Sequence, residues 1–286
     1  MAGQQKPVSG YGTGGVDTVL SVDAVAEQAA SLAANKPSKE ALWQLSNDAP
    51  FVRIEGFTAG YGLMDILHDI DLAVGKGQSL CLIGPNGAGK STVLHSIYGF
   101  TNIRSGSIHV ANTDVTKLKP NQKLANAGIA YILQDNSVFP DMTVTENLLM
   151  GGFLMDQPAK AREKAEQLLQ RYDRLAARRN QAAKVLSGGE RRLLEISRAL
   201  MMEPEVLLVD EPSIGLEPRY IDMVFDILRE LQQDLGKTII MVEQNAKKGL
   251  SFADLGYVLV SGEVALAGRG DDLLEDPQVG RLFLGG

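Results

Sequence analysis

A glycine-rich stretch at residues 84–92 carries the clearest chemistry in the sequence. It follows the apolar residues 80–83 and reads Gly84, Pro85, Asn86, Gly87, Ala88, Gly89, Lys90, Ser91 and Thr92. The spacing matches G-x-x-x-x-G-K-[ST], in which backbone N–H groups and a helix N-terminus surround phosphate oxygens. In that pattern Lys90 can reach the β and γ phosphates, and the Ser91 hydroxyl can ligate Mg²⁺. The stretch therefore predicts a phosphate-binding loop between a strand and a helix.

Two carboxylates end a second apolar run further along the chain. Residues 206–209 are continuously apolar and lead into Asp210 and Glu211. At such a strand end Asp210 can hold Mg²⁺ directly or through water, and Glu211 can activate or orient an attacking water molecule. An apolar strand ending in Asp-Glu is weak support when isolated. Beside the phosphate loop it becomes strong support for the same chemistry.

Two further segments have residue types suited to a nucleotide. Residues 186–190 open a helix predicted at 191–202, and their polar and small members form a second anion-binding surface: Ser187, Gly188, Gly189 and Glu190. Tyr61 lies on a predicted glycine-flanked turn at residues 58–62 ahead of the phosphate loop. It can stack on an adenine ring or serve as an ordinary packed turn residue, and the sequence favours neither.

Apolar patterning predicts the elements that position these groups. Alternating or continuous runs predict strands at residues 51–57, 67–74, 80–83, 107–110, 127–133, 206–211 and 238–242, with a hairpin of 256–260 and 262–266. The second half of the chain also has a charged, solvated helix predicted at residues 159–177. Gln134 follows one of these strands, and Gln244 follows another.

The first 50 residues differ from the rest. Residues 1–15 are rich in small residues and predict a mobile segment, and residues 21–32 have helical spacing. Ser38 can cap a second short helix that carries Leu42 before Pro50. Docking on the following domain, docking on a partner and a processing remnant are all compatible with this pattern. Since every phosphate-contacting motif begins after Pro50, deleting residues 1–49 is expected to leave the fold intact.

Composition excludes several classes of function. The chain has 286 residues, 44% of them apolar, with a formal net charge of -7 and a pI near 5.1. The acidic balance argues against nucleic acid as the main partner. No apolar run approaches the roughly 18 residues that cross a bilayer, and residues 1–15 lack a secretory signal, so a cytosolic chain is expected. The single cysteine, Cys81, is predicted to be a buried strand residue, and the three scattered histidines to be structural or exposed.

The order of these motifs resembles that of the nucleotide-binding subunits of ABC transporters over residues 51–286. The segment at 186–190 is the most specific part, because a phosphate loop alone fits many nucleoside triphosphatases. The resemblance implies an α/β fold, namely a P-loop NTPase cassette with a RecA-like core, an antiparallel β subdomain and an α-helical subdomain at about 139–190. Residues 1–50 are then an N-terminal helical extension.

The resemblance also implies roles for individual residues, with ATP and Mg²⁺ as cofactors. Tyr61 stacks on adenine, and the loop at 84–92 binds the phosphates. Ser91, Gln134 and Asp210 hold the metal, Glu211 is the base that polarises water, and Gln134 and Gln244 complete the catalytic set. Ser187, Gly188, Gly189 and Glu190 close over ATP bound by a second subunit.

Two positions depart from the wider family. Most ABC ATPases carry histidine where Gln244 stands, and glutamine cannot become a cation. Glu217 stands where aspartate is common, which puts communication across the dimer in doubt. Residues 242–246, 256–259 and 282–286 more closely resemble branched-chain amino acid importers, a subgroup similar to this chain at Gln244.

The narrower likeness implies partners and a location. They are a second ABC ATPase subunit in a heterodimer, two transmembrane permease subunits and a periplasmic or extracellular solute-binding protein, without nucleic acid. The chain is then peripheral, on the cytoplasmic face of the inner membrane. Three functions are kept: an ATPase that energises import, a nucleotide-sandwich subunit with weak hydrolysis, and a non-transport ABC ATPase, against which the acidic pI counts.

Overall fold

The computed structural model describes residues 37–47, 49–134 and 137–284. Within these ranges the strands form two sheets and are β1 (Pro50–Tyr61), β2 (Met64–Gly75), β3 (Ser79–Ile83), β4 (Asn102–Val110), β5 (Thr113–Asp114), β6 (Ile129–Ile132), β7 (Val206–Asp210), β8 (Thr238–Val242), β9 (Leu255–Val260) and β10 (Glu263–Arg269). The mobile segment predicted at 1–15 and the helix predicted at 21–32 lie outside the described residues, as do Gly285 and Gly286.

Helices of the described ranges lie between and after these strands. They are Lys39–Leu45, Lys90–Tyr98, Pro120–Ala127, Val144–Gly151, Pro158–Arg171, Asp173–Ala176, Gly188–Leu200, Pro218–Gln233, Ala246–Phe252, Gly270–Glu275 and Pro277–Phe283, with a 3-10 turn at Ala183–Val185. The helix predicted at 159–177 is interrupted at Tyr172, whose φ of -122° and ψ of 85° are not helical. The helix predicted to begin at Arg191 begins three residues earlier, at Gly188.

The larger sheet positions the groups with chemistry. Its order is β10-β9-β3-β8-β7-β6, in which β9, β3, β8, β7 and β6 pair in parallel and β10 is antiparallel to β9. The residues of β3, β7 and β8 are buried throughout, as expected for parallel strands covered on both faces. Parallel strands end at the same edge of a sheet. Asp210 is the last residue of β7 at that edge. The strands that end beside it are followed by the phosphate loop, by Gln134 and by Gln244.

The smaller sheet is antiparallel, with the order β2-β1-β4-β5, and this confirms the predicted β subdomain. Here the predicted turn at residues 58–62 is wrong. Strand β1 continues to Tyr61, which pairs with Met64, so the chain reverses at residues 62–63. The two strands approach closely at Gly60. A Cβ there would lie only 2.0 Å from the carbonyl oxygen of Met64, so this position needs glycine.

The helix Lys39–Leu45 packs on the domain that follows it. Ser38 caps it as predicted, accepting a hydrogen bond from the Ala41 N–H at 3.2 Å. Leu42 is 1% exposed and belongs to the apolar cluster that includes Val52. The Gln78 side chain donates to the Leu45 carbonyl at 3.2 Å. A boundary at residue 50 would cut through this packing, so we propose that the cassette includes the helix Lys39–Leu45.

Candidate functional site

The phosphate loop joins β3 to the helix Lys90–Tyr98 and needs glycine at two positions. Gly84 has a φ of +145°, and a Cβ there would lie 2.1 Å from the Leu259 carbonyl oxygen. Gly89 has a φ of +96°, and a Cβ there would lie 2.8 Å from Leu67 Cδ2. Both residues therefore adopt backbone conformations and approaches that a side chain would prevent. The result is a tight loop whose N–H groups and following helix N-terminus can face an anion.

The side chain of Lys90 contacts the backbone of the phosphate loop to which it belongs. It is largely buried, and its ammonium donates to the carbonyl oxygens of Gly84 and Pro85, both at 3.0 Å. Burial lowers the pKa of Lys90, an effect opposed by the carboxylates of Glu211 and Asp210. The arrangement places a positive charge and three N–H donors where phosphate oxygens can exchange for the loop carbonyls.

Ser91 and Asp210 meet at the start of the loop helix and the end of β7. The Ser91 hydroxyl donates to Oδ1 of Asp210 at 3.0 Å. Hydroxyl and carboxylate oxygens are ligands that suit Mg²⁺. In the part of the chain that the structure describes, no group of three or more His, Cys, Asp or Glu residues could hold a metal ion. The Ser91 hydroxyl and the Asp210 carboxylate together fit a magnesium ion that takes its remaining ligands from phosphates and water.

Glu211 and Gln134 form the next contact along this edge. The Gln134 amide donates to Oε2 of Glu211 at 3.2 Å. Glu211 has a φ of 42°, in the left-handed region, and its N–H donates to the Val242 carbonyl at 2.9 Å. A non-glycine residue in this region costs on the order of 1–3 kcal/mol and persists only where the surrounding structure holds it. The carboxylate is thereby fixed beside Gln134 and next to Asp210.

Tyr61 is 43% exposed at the end of β1. Its hydroxyl bonds to Nδ1 of His95, and the two rings meet edge to face with centroids 6.1 Å apart. His95 is half-buried and belongs to the phosphate-loop helix. An exposed ring held at its hydroxyl end can accept a stacked base.

The segment at 186–190 forms the start of the helix Gly188–Leu200. The Ser187 hydroxyl accepts the Glu190 N–H at 3.3 Å, and the Glu190 carboxylate accepts the Ser187 N–H at 2.9 Å, which is a capping box. The Ser187 N–H lowers the pKa of Glu190. A Cβ on Gly189 would lie 2.2 Å from the ring of Tyr220, so this helix packs closely on the helix Pro218–Gln233.

An open cavity of about 300 Å³ adjoins that helix start. Its lining residues include Gln134, Gly188, Arg192 and Ile214. In the described part of the chain, none of its lining residues belongs to the phosphate loop at 84–92. Contacts within one chain therefore join Ser91 to Asp210 and Gln134 to Glu211, and Gln134 also lines the cavity beside Gly188.

Gln244 follows β8 as predicted, and its side chain is exposed. The neighbouring Glu243 is 2% exposed, and its Oε1 accepts the Ser213 hydroxyl at 2.7 Å and the Asn245 N–H at 2.9 Å. Glu243 thus ties the segment after Glu211 to the segment that carries Gln244.

Sequence reasoning missed four residues that support the site, namely His95, Tyr131, Arg192 and Glu243. Arg192 is buried, donates to the Leu133 carbonyl at 2.7 Å and to the Asp210 carbonyl at 3.2 Å, and pairs with Glu195 at 2.8 Å. It thereby fixes the backbone beside both Gln134 and Asp210. These contacts join distant parts of the chain, and no local spacing signals them.

A parallel sheet with a glycine-rich loop after one strand and an Asp-Glu pair after another defines a P-loop nucleoside triphosphatase. A profile of the family described as ABC transporter matches residues 67–214. The high-affinity branched-chain amino acid transport ATP-binding protein BraG of Pseudomonas aeruginosa is 41% identical over 226 residues, which are 79% of this chain and 96% of that protein. The chain belongs to the ABC transporter family.

Two further similarities agree with this assignment. The probable branched-chain amino acid transport ATP-binding protein LivF of Archaeoglobus fulgidus is 36% identical over 234 residues, 82% of this chain and 98% of that one. A crystal structure of the ADP conformation of an ATP-binding cassette of an ABC transporter superposes with a TM-score of 0.72 at 30% identity, covering 83% of this chain and 99% of that one. The chain is an ATPase that binds adenine nucleotide.

Proposed function

We propose that this ATPase energises the import of a small solute, a branched-chain amino acid or a related hydrophobic or amide compound, through separate membrane subunits. The names of the two relatives support the solute class. The observation that carries the catalytic part is the contact between Ser91 and Asp210, with Glu211 next in the chain. That contact supports the catalytic part of the proposal, since hydrolysis needs carboxylates close to the bound phosphates.

Each site residue has a role that its position permits. Lys90 and the backbone of residues 84–92 bind the phosphates, and Tyr61 stacks on adenine. Ser91, Gln134 and Asp210 hold Mg²⁺, which offsets phosphate charge when bound. Glu211 accepts a proton from the attacking water, and Gln244 hydrogen-bonds the γ-phosphate.

A second ABC ATPase subunit completes the site in this proposal. Ser187, Gly188, Gly189 and Glu190 of one subunit contact ATP on the phosphate loop of the other. This arrangement is supported by the cavity beside Gly188, whose described lining includes no residue of the phosphate loop. We propose a heterodimer, because Gln244 is uncharged and a partner with histidine there would supply the missing cation.

The remaining partners are two transmembrane permeases and a periplasmic or extracellular solute-binding protein. None of the described helices has both the length and the apolar character to cross a membrane. We place the chain on the cytoplasmic face of the membrane, bound to the permeases. Nucleic acid is not among the proposed partners, since the chain is acidic.

Reconstitution tests the transport proposal. The chain is co-expressed with permease and solute-binding proteins encoded beside it, and uptake of labelled leucine into vesicles is measured with ATP inside. We expect uptake that requires ATP and that is lost with Lys90→Ala. The comparison complex carries Lys90→Ala and a disabled second ATPase subunit. Uptake by that complex equal to uptake by the wild-type complex would contradict the proposal. Neighbouring genes without any permease would contradict it as well.

A further inference from the structure

Tyr131 of β6 contacts the carboxylate at the end of the adjacent strand. Strands β6 and β7 pair in parallel with Tyr131 opposite Leu208. The Tyr131 hydroxyl donates to Oδ2 of Asp210 at 2.8 Å, while the Ser91 hydroxyl donates to Oδ1 at 3.0 Å. Asp210 is 4% exposed. Each of its two oxygens therefore has a hydroxyl donor, one from the phosphate loop and one from the sheet.

The Tyr131 ring packs against other aromatic rings, two of which belong to the helix that follows the phosphate loop. His95, Tyr98 and Phe100 surround it, with centroids 5.7, 5.5 and 6.1 Å from its own. Such pairs contribute beyond their buried area and restrict ring rotation. The position of the hydroxyl is thereby set by the sheet and its packing.

The hydroxyl of Tyr131 is the donor in its contact with Asp210. An ionised Asp210 has acceptor capacity only, so the direction of the hydrogen bond is fixed.

We propose that Tyr131 is a positioning residue for the magnesium site. Its hydroxyl fixes the rotation of the Asp210 carboxylate, so that Oδ1 stays directed at Ser91, the residue with which Asp210 would hold Mg²⁺. This inference rests on the proposed magnesium role of Ser91 and Asp210. Partners that orient a metal ligand from outside commonly account for about 10–100-fold in metal affinity or activity.

The test measures the affinity for a fluorescent ATP analogue, first in EDTA and then across a Mg²⁺ titration. Tyr131→Phe keeps the ring and removes the hydroxyl. We expect the Mg²⁺ concentration for half-maximal gain in affinity to rise about tenfold, with affinity in EDTA and the thermal unfolding midpoint unchanged. Tyr98→Phe is the matched control, because it removes a hydroxyl from the same ring cluster at a residue with no hydrogen bond to Asp210. It should change none of these three values.

A double-mutant cycle shows whether the effect passes through Asp210. In an Asp210→Asn background, Tyr131→Phe should cause no further shift in the Mg²⁺ titration. An unchanged titration for Tyr131→Phe alone would overturn the proposal, as would an equal loss of affinity with and without Mg²⁺ or an unfolded Tyr131→Phe protein. If the wild-type chain gains no affinity from Mg²⁺, the proposed metal site itself fails, and that result is distinguishable from the others.

Discussion

The Ser91 hydroxyl donates to Oδ1 of Asp210 at 3.0 Å, although the two residues are 119 positions apart in the chain. Ser91 belongs to the helix after β3, and Asp210 ends β7, so the contact bridges across β8, which lies between those strands. It brings a hydroxyl from the phosphate loop to the carboxylate that precedes Glu211.

Lys90→Ala should weaken ATP binding, because the loop loses the positive charge that its phosphates require. Charge-assisted hydrogen bonds contribute about 1.5–3 kcal/mol, which corresponds to roughly 10–100-fold in affinity. Isothermal titration with ATP measures the change. The exposed Lys117→Ala variant removes the same charge elsewhere and should bind like wild type. An affinity for Lys90→Ala equal to that of wild type would exclude the assigned role.

Tyr61→Ala should weaken ATP binding by about 1–3 kcal/mol if the ring stacks on adenine, by analogy with base stacking in single-strand binders. Tyr61→Phe keeps the ring and should be nearly silent, losing only the bond to His95. Binding of ATP and of GTP to both variants is the measurement. Equal damage from the two substitutions would assign the effect to the hydroxyl instead of the ring.

The local part of the site was predictable from sequence because it lies within a short stretch. Strand β3, the phosphate loop and the start of its helix occupy adjacent residues, and glycine positions report the loop directly. Strand β8 has the predicted bounds, since a continuously apolar run has few alternatives. The resemblance to ABC ATPases added the roles of Gln134 and residues 186–190, which spacing alone does not give.

Contacts made by strand register could not be read from sequence. Tyr131 reaches Asp210 only because β6 lies beside β7, and the two residues are 79 positions apart. The break at Tyr172 also escaped, because helical spacing continues across it while the ring is buried in the core. In each case tertiary packing decided a feature that local patterning left undetermined.

Removal of residues 37–49 should destabilise the cassette, contrary to the expectation from motif positions. A chain lacking residues 1–49 should unfold at a lower temperature than a chain lacking only residues 1–36. Leu42→Ala alone should reduce the free energy of unfolding by about 2–5 kcal/mol, the usual cost of truncating a buried leucine. Gln44→Ala, exposed on the same helix, should change it little. If the two truncated chains were equally stable, the N-terminal boundary of the cassette would lie at residue 50.

Gln244→His should change the hydrolysis rate of the chain by about 30-fold or less. A neutral hydrogen bond contributes about 1 kcal/mol and a charge-assisted one about 1.5–3 kcal/mol, and each 1.36 kcal/mol is roughly tenfold in rate. Steady-state ATPase assays compare the variant with wild type, alone and in the assembled transporter. The chain alone should hydrolyse ATP slowly. If the chain alone hydrolysed ATP as fast as the assembled transporter, the proposed heterodimer would be refuted.

Glu211→Gln tests the catalytic assignment most directly. The amide keeps the shape of the side chain but cannot accept a proton, so hydrolysis at this site should fall by about 10²–10⁴-fold while ATP affinity stays at the wild-type value. The decisive measurement is single-turnover hydrolysis of radiolabelled ATP with Mg²⁺ in the assembled complex, with the second ATPase subunit's own site disabled. We expect ATP to remain bound and uncleaved, holding the two ATPase subunits together. Turnover equal to that of wild-type Glu211 under these conditions would contradict it.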